Sequence, residues 1–594
     1  MESVAAETAL WRTRPMARID GNAVAIWTAL ATTWSLSSER SLAELSRVAS
    51  YLGVFLLGVA IYRERGSAVR HAVAAIATAV VAVSALALLS RLRPELFPAA
   101  QTTTSLLPRA NGRLSWPLNY WNALAALMAF GLPLLLSIAT SARSLVAQSF
   151  AAGAVPIVAL CGYLTFSRAG AIAAAAAVIV FLSLAPERIP KLATLLLSAA
   201  GSAVLIAGAA HRHTIEQGLT GAAARHDGAT LLIAVVIVCA GVGVARAGIG
   251  LAVRHGTPPS WLTISRRRAR SLLAGAVAIA VIGALVAGAP ARLSHAWQDF
   301  KRPTAAALHT NSIARFGSTS GNDRYTYWKV AIQSTKGHLL TGAGPGTFQL
   351  LWQPREPTFN YVVNAHSLYI ETLAEVGLIG LALLGAFFVL VIGASVRRAA
   401  HGALESRARL AGVAAACVAF SVSAAFDWIW QVPVLPVAFL LLAGSALAPS
   451  RAAPFAGARR LRGPAARVGM VVAAVASLSP IAIAMATTTA VRQSQAAAAA
   501  GNTGLALADA RAAARLEPGA ASPQIQSALV LELRGDLTGA IAAARRATAN
   551  ESTNWQPWLI LSRLQAEAGH PGGAVSAFRR ARSLNPRSPV FQRS

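Results

Sequence analysis

Asn322-Asp323-Arg324-Tyr325-Thr326-Tyr327-Trp328-Lys329 and Ala365-His366-Ser367-Leu368-Tyr369-Ile370-Glu371 stand in one polar stretch, 291–380, with apolar sequence on both sides. That contrast decides the fold. The 594 residues are 55% hydrophobic and 13% charged, whereas ordinary soluble domains carry about 25% charged residues. A soluble reading of the whole chain therefore fails, and the chain is read as an all-α, polytopic helical membrane protein. Long polar loops in compact proteins usually bind or catalyse, so residues 291–366 are the candidate catalytic loop.

Working outward, the apolar runs 23–34, 47–62, 71–90, 118–139, 149–166, 169–185, 192–210, 229–250 and 271–289 precede the loop. The runs 367–395, 410–428, 431–448 and 468–490 follow it. With ~20 residues needed to cross a bilayer, they predict about thirteen spans, roughly 12–14. Residues 1–290 and 367–490 are thus the two transmembrane blocks. Arg63, Arg65 and Arg70, then Arg143, Arg188 and Lys191, Arg254 and Arg266–Arg268, Arg397 and Arg398, and Arg459–Arg467 fall on alternate connections. Positive loops face the cytoplasm. The predicted topology therefore has the amino terminus inside, the central loop outside and everything after 490 outside, in a cytoplasmic (inner) membrane.

Arg12, Arg14 and Arg18 ahead of 23–34 read as a cytoplasmic tail, because no small-residue cleavage site leads into soluble sequence. The net charge of +30 is spread between apolar runs without a stripe or reader motif, which excludes nucleic acid as the expected partner. Cys161, Cys239 and Cys417 lie far apart in apolar runs, so they are small hydrophobes and no metal site is predicted.

Past 490 the pattern becomes amphipathic. Ala506, Ala540 and Ala574 are 34 residues apart, as are Ala513, Ala547 and Ala581. Trp558, Leu561, Ala574, Phe578, Ala581 and Pro586 follow the tetratricopeptide pattern. Residues 491–594 are expected to form a tetratricopeptide-like helical-repeat domain whose concave face holds a protein or glycan partner.

His366-Ser367, nine residues, then Gly377-Leu378-Ile379-Gly380 form the pattern H-[NSQ]-x9-G-x-x-G. Arg324 and Trp328 precede Gly342-Ala343-Gly344-Pro345-Gly346-Thr347-Phe348. Upstream stand Arg113-Leu114-Ser115-Trp116-Pro117-Leu118-Asn119-Tyr120-Trp121-Asn122-Ala123-Leu124-Ala125 and Phe166-Ser167-Arg168-Ala169-Gly170. In this order the stretches resemble the O-antigen ligase/polymerase family of bacterial membrane glycosyltransferases, over roughly residues 20–450. The length between Arg168 and Arg324 departs from the family's pattern. The resemblance implies a metal-independent, inverting transfer, without cofactor, of a glycan from a polyprenyl-pyrophosphate donor to a lipid, protein or wall acceptor. A polymerase has the same motifs, with a second lipid-linked unit as acceptor.

The residues can be weighed on their own chemistry. His366 stands where the loop re-enters the membrane, and a near-neutral imidazole can act as general base toward a sugar hydroxyl. Arg324 and Arg168 are candidate catalytic cations, because guanidinium forks fit phosphate and offset a leaving group's charge. Snorkelling of Arg168 and solvation of Arg324 are the plain alternatives. Arg315 and Arg355 are further loop cations, and Ser367 is the neighbouring hydroxyl. Tyr325, Tyr327, Trp328 and Tyr369 could stack on sugars, although interfacial aromatics are expected anyway. Asp427 is placed either to orient His366 or to pair with an arginine. Glu371 and Glu375 follow His366 by five and nine residues, which is not the i+3/i+4 spacing that would set them beneath it on a helix.

Two other classes compete. A flippase or transporter for a lipid-linked glycan would show broken helices and midplane cations, and the sequence displays neither clearly. A membrane-tethered scaffold would explain the tail and leave His366 and Arg324 idle. The run Gly342–Gly346 lacks a following Gly-Lys-Ser/Thr, so it is no P-loop.

Overall fold

A computed structural model describes residues 20–63, 68–98, 112–185, 188–255, 289–302, 316, 318–357, 359–401, 404–447 and 464–592. The chain is all-α, with no strand among the described residues. In order, the principal helices are α1 (Asp20–Ala31), α2 (Ser38–Arg63), α3 (Ala68–Leu92), α4 (Trp121–Ser141), α5 (Leu145–Leu164), α6 (Arg168–Leu184) and α7 (Arg188–Ala210). They continue as α8 (Ala222–His255), α9 (Ala289–Lys301), α10 (Arg324–Ser334), α11 (Leu368–His401), α12 (Leu404–Phe426) and α13 (Val434–Leu447). The last are α14 (Pro464–Ala499), α15 (Thr503–Leu516), α16 (Ser522–Leu533), α17 (Leu537–Asn550), α18 (Trp555–Glu567) and α19 (Pro571–Leu584).

Eight helices among the described residues are long and apolar enough to cross a membrane, and α6 and α13 are shorter apolar helices. The protein is a multi-pass membrane protein. The predicted span 271–289 lies outside the described residues but for its last position. The predicted span 23–34 is instead the 12-residue α1 followed by a 3-10 turn, Thr32–Trp34. At 1.5 Å per residue α1 is too short for a ~30 Å hydrocarbon core. Where α1 gives way to the turn, Thr32 and Thr33 donate their hydroxyls to the carbonyls of Ala29 and Leu30.

Two compact units divide the chain, one comprising Gly58–Thr326 and Val391–Ala448, the other Met1–Leu57, Tyr327–Leu390 and Pro449–Ser594. In the first, α12 packs on α4 and α6, and α5 packs on α4, α7 and α8. Small residues permit this closeness, as expected of helices in lipid. A Cβ on Gly170 of α6 would stand 2.4 Å from the Ala125 Cβ, and one on Gly412 of α12 would stand 3.0 Å from the Pro133 carbonyl oxygen. Ser167 caps α6 by accepting from the Gly170 N–H, which fixes where Arg168 begins the helix.

In the second unit, α11 is a broken helix. Gly377 has φ 71° and ψ −172°, a left-handed φ that glycine alone adopts without strain. The break frees backbone groups, and each must find another partner away from water. The chain's own loop supplies them. Leu378 N–H donates to the Leu339 carbonyl at 2.8 Å, while Ala343 and Gly344 N–H donate to the carbonyls of Ala374 and Glu375 at 3.0 and 2.8 Å. The Trp27 indole donates to the Val376 carbonyl at 2.8 Å. Approach is close enough that a Cβ on Gly377 would lie 2.2 Å from the Leu340 oxygen, and one on Gly342 2.3 Å from the Glu375 backbone.

The same unit holds the tail, where the end of α14 packs on α15 and the pairs α16–α17 and α18–α19 follow. Alanines at the 34-residue spacing, Ala506, Ala540 and Ala574, are buried in it. Residues 35–41 bond both ways within this unit. Ser41 Oγ donates to the Pro345 carbonyl at 2.7 Å, and Arg40 to Gln349 at 2.7 Å. Toward the tail, Ser38 donates to the Gly519 carbonyl at 2.7 Å, Glu39 accepts from the N–H and hydroxyl of Ser522, and Ser37 donates to Glu551. Burial and the nearby carboxylates of Glu39 and Glu551 push Glu517 up to about 7, against a bond from Thr487 that acts the other way.

Candidate active site

Two side-chain clusters contain the sequence-predicted residues, one in each unit. The first is built on Asp427, at the end of α12 and 1% exposed. Its carboxylate accepts from Arg324 Nη2 at 2.9 Å, from the Trp428 N–H at 2.9 Å, and from the Tyr120 hydroxyl and the Asn122 amide. Four donors, one of them a guanidinium, satisfy a charge that burial would otherwise penalise heavily. Tyr120 also stacks on Trp428, with centroids 4.1 Å apart.

Arg324 opens α10 and is tied down at three nitrogens. Nε donates to the Phe426 carbonyl at 2.7 Å, Nη1 to the Gly321 carbonyl at 3.3 Å, and Nη2 to Asp427. A guanidinium has five N–H donors, more than these three acceptors take. Arg168 donates to the carbonyls of Ser318 and Ser320, the latter at 2.7 Å, and lies close enough to Arg324 to feel its charge. Arg113 is the third cation of the cluster. It donates to the Thr165 carbonyl at 2.8 Å and to Asn122 Oδ1 at 3.2 Å, and stands 4.5 Å over the Trp121 ring. Asn122 Oδ1 also accepts from Ser167 at 2.8 Å. Arg324 thus bonds the Asp427 carboxylate directly, Arg113 is linked to it through Asn122, and Arg168 lies near Arg324, a gathering of cations suited to a polyanionic group.

The second cluster surrounds His366, which precedes α11 and has φ 54°. A positive φ is uncommon outside glycine and marks a turn held by its surroundings. Glu371, one turn into α11, does the holding: its carboxylate accepts from the Ala365 N–H at 2.6 Å and from the Asn364 amide at 3.0 Å. Tyr327 stacks on the imidazole at 5.5 Å and meets Trp352 edge-on at 5.0 Å. Its hydroxyl accepts from Asn360 at 2.8 Å. Beneath lies an apolar cluster of Val330, Phe348, Leu351, Trp352 and Ala365. Glu375 accepts from the N–H groups of Gly346 and Phe348 at 2.8 and 3.0 Å, so both acidic side chains of early α11 hold loop backbone.

The other predicted residues are dispersed. Arg315 lies outside the described residues. Arg355 donates to the Leu351 carbonyl at 3.0 Å. Tyr325 meets Trp297 edge-on at 6.0 Å, and Tyr369 meets Phe388 likewise at 6.0 Å. Trp328 is half-buried against the apolar cluster, and Ser367 is buried with its carbonyl accepting from the Glu371 N–H. Of the two roles open to Asp427, the structure has the pairing with an arginine. Arg113, Tyr120 and Asn122 join the cluster as residues that the sequence marks only by their place in the upstream motif. Glu371, five residues past His366 and off the helical spacing, enters the site through the Ala365 N–H and the Asn364 amide instead.

No curated protein matches the chain. A family model described as O-antigen ligase matches residues 228–385, a stretch that includes Arg324, His366, Glu371 and Gly377. Residues 228–385 therefore form an O-antigen ligase-type domain, and the match supports a ligase- or polymerase-type glycosyltransferase family for the chain.

Proposed function

We propose that the protein moves a glycan from a polyprenyl-pyrophosphate donor to an acceptor hydroxyl at the outer face of the cytoplasmic membrane, as an O-antigen ligase-type transferase. The observation that carries this reading is the family match over 228–385, which spans both the histidine and the arginine of the expected chemistry. His366 serves as general base, taking the proton of the acceptor hydroxyl as that oxygen attacks the anomeric carbon. Tyr327 stacks on its ring, and Glu371 holds the turn before it through the Ala365 N–H. Arg324 and Arg168 bind the pyrophosphate and offset the charge that grows on it as the bond to the sugar breaks. Asp427 positions Arg324 and leaves part of its fork for phosphate. Side chains carry the reaction without metal, with inversion at the anomeric centre. Trp328, Tyr325, Tyr369, Ser367, Arg315 and Arg355 contribute substrate contacts, and the tail is a tetratricopeptide-like domain on the same outer side. A polymerase, with another lipid-linked unit as acceptor, uses the same groups.

The break in α11 supplies the one observation favouring a transporter, since such proteins bind substrates at the ends of broken helices. Here the groups freed by the break bond to Leu339, Ala343, Gly344 and Trp27, which leaves them occupied by protein rather than offered to a substrate. The transferase reading is tested in proteoliposomes loaded with a polyprenyl-pyrophosphate glycan and chelator. Wild type should transfer the glycan, and His366→Ala and Arg324→Ala should not. Donor crossing the bilayer without transfer would put the transporter first.

A further inference from the structure

The outer helices of the tail carry an arginine at the repeat spacing. Arg511 on α15, Arg545 on α17 and Arg579 on α19 are 34 residues apart, and all three are exposed. Arg546 and Arg580 repeat the pattern one position on and are exposed as well. Helices α17 and α19 contain no acidic residue, and α15 contains one, Asp509. An ordinary solvated helix face mixes signs and pairs them at i,i+4, and this face does not. The tail's described ion pair, Arg563 with Glu532, belongs to α18 and α16. Stacked helical pairs place equivalent residues in a row, here with α16 packed between α15 and α17 and α18 between α17 and α19. The alanines that bury the repeat set the register, so the arginines form rungs of one ladder.

We propose that Arg511, Arg545 and Arg579 form a docking ladder for a linear acidic glycan, with each guanidinium binding a carboxylate along the polymer. Guanidinium forks match carboxylates in pairs, and a row of rungs fits a chain. A bilayer surface would call for large apolar side chains between the cations; there α15 and α17 place Ala508, Ala512, Ala542 and Ala549, and the exposed large apolar side chains of the three helices are Leu505 and Leu516 near the ends of α15 and Val575 on α19. A single-stranded nucleic acid would call for aromatic platforms, and α15 and α17 hold no aromatic residue, while Phe578 of α19 is half-buried and meets Phe591 edge-on. The choice of a glycan among polyanions rests on the transferase reading, while the ladder itself does not.

The test is binding of fluorescent oligogalacturonate to the full-length protein in neutral-lipid nanodiscs. Wild type should bind it more tightly as the oligomer lengthens, lose affinity as salt rises, and ignore dextran of equal length. Arg511→Gln/Arg545→Gln/Arg579→Gln should bind at least about tenfold more weakly with an unchanged thermal melt. The corresponding triple lysine variant, which keeps charge and loses the fork, should fall between the two. No binding by wild type, equal binding by the glutamine variant, or tighter binding of oligothymidylate or of vesicles rich in anionic phospholipid would overturn the proposal. Wild type that transfers glycan yet binds no oligogalacturonate would overturn the ladder alone, and lost transfer in His366→Ala leaves it standing.

Discussion

Arg324 and Asp427 meet at 2.9 Å with the carboxylate 1% exposed and the guanidinium side chain 15% exposed, and Tyr120, Asn122 and the Trp428 N–H bond the same two oxygens. A pair so placed is weak as a source of stability but expensive to break, because the surviving charge stays buried.

Asp427→Ala should therefore destabilise the protein by about 3–5 kcal/mol and lower transfer by about a hundredfold or more. Arg324→Lys keeps the charge but has no fork, so it should also lose most activity while melting nearer wild type. Thermal unfolding together with proteoliposome transfer checks both. Full activity in Arg324→Lys would remove the fork from the mechanism.

Glu371 touches no substrate in this scheme and acts by holding the turn at Ala365. Glu371→Gln should lower kcat by roughly ten- to a hundredfold, with the donor KM nearly unchanged. An unchanged kcat would show that the turn before His366 keeps its place without that carboxylate.

Gly377→Ala would set a Cβ 2.2 Å from the Leu340 oxygen at a φ of 71°. Backbone strain alone costs about 1–3 kcal/mol at such positions, and the stitched loop must move as well. A lower melting temperature and faster proteolysis near Leu340 are the expected signs. Gly385→Ala, in the same helix with nothing within 4 Å of its Cβ, is the control and should be neutral.

Glu517 gives the tail a pH dependence whose sign follows from its raised folded value of about 7. An unfolded carboxylate ionises near 4.5, so the folded state holds the proton longer. That contribution is fully present below about 4.5 and declines as pH rises to about 7. The tail should be more easily proteolysed at pH 8 than at pH 5, by on the order of 1–3 kcal/mol of opening free energy. Glu517→Gln should flatten the difference, and an unchanged profile would show that Glu517 is not its source.

The membrane-helix architecture was legible because apolar runs of sufficient length admit one structure in lipid. Residues 23–34 read as a span because apolar composition does not encode the change from α-helix to 3-10 turn after Ala31. Asp427 was visible as a charge beside an apolar run, but its partners Tyr120, Asn122 and Arg324 are separated from it by 307, 305 and 103 residues. No local pattern encodes contacts of that range. The break at Gly377 was written in the motif as a glycine, yet a glycine in an apolar run also suits plain helix packing. What distinguishes the two is the neighbouring loop, which only the structure brings alongside.

The stitching of residues 339–344 to α11 bears on how the chain tolerates change in length. Surface loops ordinarily accept insertions, since extra residues add little closure entropy. This segment is different, because Leu339, Ala343 and Gly344 bond α11 through main chain in a fixed register. Side chains between 339 and 343 can vary with little effect, Gly342 excepted, whereas one added or deleted residue slips every bond at once. An epitope tag or a truncation placed there would unzip α11 at its weakest point, and with it the turn that carries His366.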